Sequence, residues 1–177
     1  FFIIKNKYSL MLKKVFIFDR DNTLVKDKGY TYKIHDLKFL PHTIKALKYL
    51  KKNNFLVTVA TNQSGVARGF FKINDIKKFH KAMNKILSKN SAKIDSFFFC
   101  PHHIDGKIKR FKKKCKCRKP NPLLLLRILE KFSVKKNNCI MIGDKNTDKL
   151  AARKLGIKFF FKSKNLFKKV KKLSKII

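Results

Sequence analysis

The chain has 177 residues, with 46 Lys and Arg against 10 Asp and Glu and a formal net charge of +36. A hydrophobic content of 44% is enough for one domain with its own core and excludes a disordered chain. No apolar run, Val15–Phe18 and Leu123–Leu126 included, approaches the roughly 18 residues that span a bilayer, and the N-terminus lacks the apolar stretch of a secretory signal.

Val15–Phe18 reads as a short, fully buried strand that ends in the polar loop Asp19-Arg-Asp-Asn-Thr23. Pro41 opens a helical pattern carrying Ile44, Leu47 and Leu50, and Asn53 and Asn54 close it. Phe55–Ala60 is the second expected strand and runs into Thr61-Asn-Gln-Ser-Gly65. Asn74 is the expected N-cap of a helix bearing Ile76, Phe79, Met83, Ile86 and Leu87. Ile94–Phe99 reads as strand three, 100–120 as an irregular basic segment, and Leu123–Phe132 as a helix. Cys139–Ile142 reads as strand four, Thr147–Leu155 as a helix and Ile157–Phe161 as strand five. The Lys-rich tail from Ser163 is patterned as an amphipathic helix outside a core of about 14–162. Strands alternating with helices predict a single α/β domain over 1–177, with a parallel sheet flanked by helices. Residue 1 is Phe, so the expected start is Met11 unless the chain is a fragment.

The charge invites a nucleic-acid reading, but only six of the basic residues are Arg. Lys, Phe, Ile and Asn make up about half the chain, and all four have A/T-rich codons. A compositional bias that covers the surface with Lys explains this better than selected DNA contacts, which favour Arg. The expectation is therefore a cytoplasmic monomer acting on an anionic small molecule, with no specific nucleic-acid or membrane partner. In a chain so poor in acid, each patterned Asp stands out.

Polar groups gather at the expected carboxyl ends of the strands, where ligands of such sheets bind. Asp19 and Asp21 follow strand one, Thr61 and Asn62 strand two, and Asp144 and Lys145 strand four. Converging carboxylates repel, and a hard cation such as Mg²⁺ relieves that. A metal-bound Asp can attack phosphorus, and a second Asp can protonate the leaving oxygen and then deprotonate water. Thr61 could bind a phosphoryl oxygen, and Lys119 or Lys145 could balance its charge. Each Asp taken alone could equally be a turn or cap residue.

Cys100-Pro-His102 and Cys115-Lys-Cys117 offer four soft ligands in a pattern that fits a tetrahedral, structural Zn²⁺ site. His103 is the rival ligand, and a disulfide the alternative. Cys139 begins a buried strand and reads as core.

Phe18-Asp-Arg-Asp-Asn-Thr-Leu24, Thr61-Asn-Gln-Ser64, Lys119 and Gly143-Asp-Lys145 resemble, in order, the four motifs of the haloacid dehalogenase (HAD) superfamily of phosphatases. The resemblance implies a Rossmann-like, capless fold, Mg²⁺ and an aspartyl-phosphate intermediate. The zinc pattern followed by Arg118-Lys-Pro120 narrows it to the zinc-containing heptose bisphosphate phosphatases and the histidinol-phosphatases. Asp27-Lys-Gly-Tyr30, Thr61–Gly69, Cys100–His103 and Gly143-Asp-Lys145 resemble the heptose enzymes more. Two positions depart from the pattern. Asn22 stands in place of a usual Gly, in a left-handed turn Asn tolerates, and Leu123 replaces a Gly after Pro-x-Pro.

By that resemblance Asp19 is the nucleophile, Asp21 the general acid/base, and Asp19, Asp21 and Asp144 the Mg²⁺ site, Asp21 through its backbone carbonyl. Thr61 and Lys119 hold the transferring phosphoryl group. Arg118 grips a sugar bisphosphate, helped by Arg20, Asp27, Lys28, Gly29, Tyr30, Asn62, Gln63, Ser64 and Lys145. Arg68 and Gly69 are read as a helix-end contact and a turn. A histidinol-phosphatase, a nucleic-acid 3′-phosphatase and a zinc-stabilised nucleic-acid-binding module are the competing readings.

Overall fold

The computed structural model describes residues 13–177, so Met11 lies outside the described residues. Five parallel strands form one sheet in the order β3-β2-β1-β4-β5: β1 (Val15–Phe18), β2 (Leu56–Asn62), β3 (Ser96–Cys100), β4 (Cys139–Gly143) and β5 (Lys158–Phe161). Among the described residues six α-helices accompany them: α1 (Thr43–Lys52), α2 (Gly65–Arg68), α3 (Ile73–Lys89), α4 (Leu123–Phe132), α5 (Asn146–Lys154) and α6 (Leu166–Leu173). Among the described residues no helix is long and apolar enough to cross a membrane.

The all-apolar sequence of β1 places it at the centre, where both faces are covered. Its alternation divides the core in two. Phe16 and Phe18 pack with Leu47, Leu50, Phe79 and Met83 of α1 and α3. Val15 and Ile17 pack on the other face with Leu124, Leu125, Ile128, Ala151 and Ala152 of α4 and α5. Burying each large side chain of this kind contributes about 1.5–3 kcal/mol, before entropy is charged against it.

Element ends elsewhere shift by one or two residues, and three local details differ further from the sequence expectation. Helix α3 starts two residues early: the Asp75 carboxylate accepts the Lys72 backbone N–H at 2.8 Å, so the cap is supplied from within the first turn and Asn74 is already helical. Helix α2, at four residues, is too short to leave a periodic signature. The core also runs past residue 162, because Leu166, Val170 and Leu173 of α6 are buried against α1.

The chain order runs outward from β1 to β3, then crosses back to β4 on the other side of β1. The reversal therefore falls between β1 and β4, which pair Phe18 with Ile142. The residues that follow these two strands are Asp19 and Asp144, at the crevice where open α/β sheets bind ligands.

Candidate active site

The strand ends deliver side chains into a cavity of about 460 Å³. Asp19 continues β1, its N–H still bonded to the Ile142 carbonyl at 2.9 Å, so its direction is fixed by the sheet. Lys119 is buried beside it. Its ammonium donates to Asp19 Oδ1 at 2.7 Å, to the Ala60 carbonyl at 2.6 Å and to Asp148 Oδ1 at 2.6 Å. Burial alone would pull this ammonium down, but the two carboxylates outweigh it and the net shift is upward. Lys119 is thus a cation at any working pH. Asn62 clamps its main chain, donating to the Lys119 carbonyl and accepting its N–H, both at 3.0 Å.

Asp21 points away from Lys119. Arg20 donates to both of its oxygens, at 2.8 and 3.0 Å, and Gln63 Nε2 donates to Oδ2 at 2.8 Å. Burial pushes the Asp21 carboxyl above the usual range, against the pull of Arg20, and nearby Asp19 adds to the rise. A carboxyl that keeps its proton more readily is suited to donate it. Gln63 Nε2 also donates to Thr61 Oγ1 at 2.9 Å. The Thr61 hydroxyl accepts there, which leaves its own proton to give to the cavity. The intervening turn uses Asn22 in the left-handed region (φ 54°), its side chain accepting the Asp27 N–H at 3.1 Å.

Asp19, Asp144 and Asp148 bring carboxylate oxygens within 4.8 Å of one another. Burial raises both Asp144 and Asp148, and the Asp19 charge raises them further. Asp144 Oδ1 is buried with no hydrogen-bond partner among the described residues. An orphaned carboxylate oxygen beside other carboxylates fits a hard divalent cation. Asp148 is not marked out by the sequence pattern. An acidic residue in the first turn of α5 looks like an ordinary complement to the helix dipole, and Asp148 does accept the Lys145 N–H at 3.1 Å. Its position four residues after Asp144 was the available signal.

The other anticipated residues divide. Asp27, Gly29, Tyr30, Asn62, Gln63, Ser64, Arg118 and Lys145 line the cavity. Arg20 does not. Its side chain is 0% exposed, lies over the Phe79 ring at 4.8 Å and bonds the Thr31 carbonyl at 2.7 Å. It holds Asp21 from beneath, and its side chain does not reach the cavity wall where a substrate contact was expected. Lys28 turns to Asp36 at 2.6 Å and also leaves the cavity wall. Arg68, His103, Pro120 and Thr147 line the cavity without having been anticipated as substrate contacts.

Behind this wall, Cys100, His102, Cys115 and Cys117 converge. Five of the six pairs among their sulfurs and the His102 Nδ1 are 3.1–3.7 Å apart. Those separations are near the edge of about 3.7 Å expected for a tetrahedron of thiolates around zinc, and the cysteines are unbridged. The hydrogen bond shared with Cys100 pulls the Cys117 thiol down to about 5, against its burial. His103 is turned from this cluster, toward Arg68. The cluster fits structural zinc, and it ends directly at Arg118 and Lys119.

Relatives match this chain over most of its length. D-glycero-beta-D-manno-heptose-1,7-bisphosphate 7-phosphatase of Pasteurella multocida is 37% identical over 147 residues, 83% of this chain and 79% of the relative. The protein of that name from Escherichia coli K12 is 37% identical over 134 residues, 76% and 70% of the two chains. This chain belongs to the heptose-bisphosphate phosphatase family of HAD phosphatases. It is a phosphoric monoester hydrolase by that membership. A HAD-hydrolase-like family profile matches residues 116–169. Among solved structures, the D,D-heptose 1,7-bisphosphate phosphatase of B. bronchiseptica, complexed with magnesium and phosphate, superposes with a TM-score of 0.76 at 25% identity, covering 92% of this chain and 98% of that one. A HAD-like phosphatase from Mesorhizobium loti also gives 0.76, at 26% identity over 82% and 69% of the two chains. The family's phosphatase chemistry accounts for four acidic groups meeting at one strand crevice.

Proposed function

We propose that this chain removes the C7 phosphate of D-glycero-beta-D-manno-heptose 1,7-bisphosphate, giving the 1-phosphate, and that it works as a cytoplasmic monomer. The observation that carries the reaction type is the single cavity in which Asp19, Asp21, Thr61 and Lys119 meet. The names of relatives matched over about four-fifths of the chain supply the substrate.

The Asp19 carboxylate attacks the C7 phosphorus, forming an aspartyl-phosphate as the bond to the sugar oxygen breaks. Lys119 and Thr61 hold the phosphoryl oxygens. Asp21 gives its proton to the departing sugar oxygen. The resulting Asp21 carboxylate then takes a proton from water, which attacks phosphorus and frees Asp19. Asp19, Asp144 and the Asp21 backbone would hold magnesium, which when bound offsets the phosphoryl charge as two anions approach. Asp148 neutralises and aims Lys119. Cys100, His102, Cys115 and Cys117 would hold zinc as a purely structural ion, since four protein ligands leave no open position. Arg118, on the zinc loop, faces the sugar bisphosphate.

The test is phosphate release with magnesium from the heptose bisphosphate, histidinol phosphate and a 3′-phosphorylated oligonucleotide. A preference of 100-fold in kcat/KM for the heptose, about 2.7 kcal/mol of transition-state discrimination, is the expected result. Preference for either of the others overturns the substrate. Full activity in Asp19→Asn overturns the covalent mechanism.

A further inference from the structure

Arg68 and His103 line the cavity, yet the reaction above uses neither. Arg68 ends α2, after β2, and His103 follows β3. Their mutual placement is fixed through the backbone: the Ile108 N–H donates to the Ala67 carbonyl at 2.9 Å, tying α2 to the loop that carries His103.

The two side chains are not a satisfied pair. Arg68 Nη2 lies 3.4 Å from both ring nitrogens of His103, which places the guanidinium beside the ring rather than along one lone pair. His103 Nδ1 accepts the Asp105 backbone N–H at 3.1 Å, which assigns the ring proton to Nε2. The one Nδ1 lone pair is then already taken by the Asp105 N–H, so Arg68 has at most a long, shared contact to it, and Nε2–H and the guanidinium face each other as donors. Arg68 Nε is buried and has no hydrogen-bond partner among the described residues. Arg118 stands on the same wall, its Nη1 donating to the His102 carbonyl at a long 3.4 Å. The one carboxylate paired with His103 among the described residues, Asp105, is 70% exposed and sits 3.6 Å from Nδ1, on the side of the ring away from Nε2. An unmade hydrogen bond at a buried donor is costly, so converging donors without acceptors point to an acceptor-rich anion.

The topology sets the spacing. Asp19 ends β1 and His103 follows β3, two strand intervals away, or about 10 Å. That is the scale of one sugar carrying a phosphate at each end. We propose that Arg68 and His103 form the subsite for the phosphate that is not cleaved, and that through it the enzyme selects bisphosphates over monophosphates. The proposal rests on the substrate reading above. The planar guanidinium presents two parallel N–H groups to the phosphate oxygens, the imidazole Nε2–H adds a third donor, and the ring fixes the guanidinium's plane.

The experiment compares kcat/KM for the heptose 1,7-bisphosphate and the heptose 7-phosphate, in the unmodified protein, Arg68→Gln, Arg68→Lys and His103→Asn. Calorimetric titration with the heptose 1-phosphate, which carries only the uncleaved group, is run alongside. The expected result is a bisphosphate-to-monophosphate ratio at least 10-fold lower in Arg68→Gln and His103→Asn. The 1-phosphate should bind more weakly by a similar factor, and Arg68→Lys should recover part of both. An unchanged ratio, or an equal fall for both substrates, overturns the subsite while leaving the substrate reading in place. An unmodified protein that does not distinguish the two substrates overturns the substrate reading, and the subsite with it.

Discussion

Arg20 grips Asp21 through two parallel hydrogen bonds, Nε to Oδ1 at 2.8 Å and Nη2 to Oδ2 at 3.0 Å, while lying wholly beneath the cavity floor. The same Nη2 reaches the Thr31 carbonyl at 2.7 Å and Gln63 Oε1 at 3.1 Å. One buried side chain thereby joins the acid/base loop, the 27–31 loop and the segment after β2. Arg20→Met should lose about 3 kcal/mol of stability, the cost of breaking a buried ion pair. Its kcat should fall about 100-fold, as an unheld general acid does. Arg20→Lys should recover little, because a point charge cannot span both oxygens. Urea denaturation and phosphate release measure the two effects, and unchanged kcat in Arg20→Met would refute the role.

Asp148 and Asp19 share the Lys119 ammonium. Asp148→Asn keeps the shape but removes one of the two charges, so Lys119 should be drawn toward Asp19 and engage the nucleophile more tightly. The expected outcome is a kcat about 10–100-fold lower with a smaller change in KM. Single-turnover phosphate release reads this directly; a purely KM-based loss would contradict it.

Cys115→Ser should release zinc and lower the melting temperature, because a structural zinc site contributes folding energy. The loop it anchors passes straight into Arg118 and Lys119, so KM should rise before the sheet unfolds. Elemental zinc analysis and melting curves test the first claim. Bound zinc equal to that of the unmodified protein would exclude Cys115 as a ligand.

His80 lies buried in α3, stacked on Phe97 with ring centroids 4.2 Å apart. Burial, with a smaller push from Arg20, holds its pKa down to about 3, against an ordinary 6.5. The unfolded chain therefore takes up a proton below pH 6.5 that the folded chain refuses. Stability attributable to His80 is complete above that pH and is lost as the pH falls from 6.5 toward 3, by about 1.4 kcal/mol per unit. His80→Phe should unfold less steeply with acid over that window. Equal slopes of unfolding free energy against pH in the two proteins would refute this.

The architecture was legible because each buried strand announces itself as a compact apolar run and each helix as a periodic one. β1 and α4 carry the bounds their patterns imply. The motif residues were legible because they sit at strand ends. What escaped depends on where a side chain turns after the strand. Arg20 lies between two aspartates in sequence but on the far side of the loop from the cavity. Asp148 reaches back from a helix, and only the junction of β4 and α5 reveals that its carboxylate meets Lys119. Arg68 ends a helix too short for periodicity, and its meeting with His103 comes from the pairing of β2 and β3.

The sparse acid of this chain has a further meaning. Nine of the ten acidic residues are aspartates, and each has a task. Asp19, Asp21, Asp144 and Asp148 gather where the strands end. Asp27 organises its loop, Asp36 and Asp95 pair with Lys28 and Lys51, Asp75 caps α3, and the Asp105 carboxylate lies 3.6 Å from His103 Nδ1. Glu130 makes no side-chain hydrogen bond or ion pair among the described residues, and Asp144 none outside the crevice it faces. The scarce negative charge of this chain is thereby concentrated at the crevice and at a few structural contacts instead of being spread over a surface of lysines.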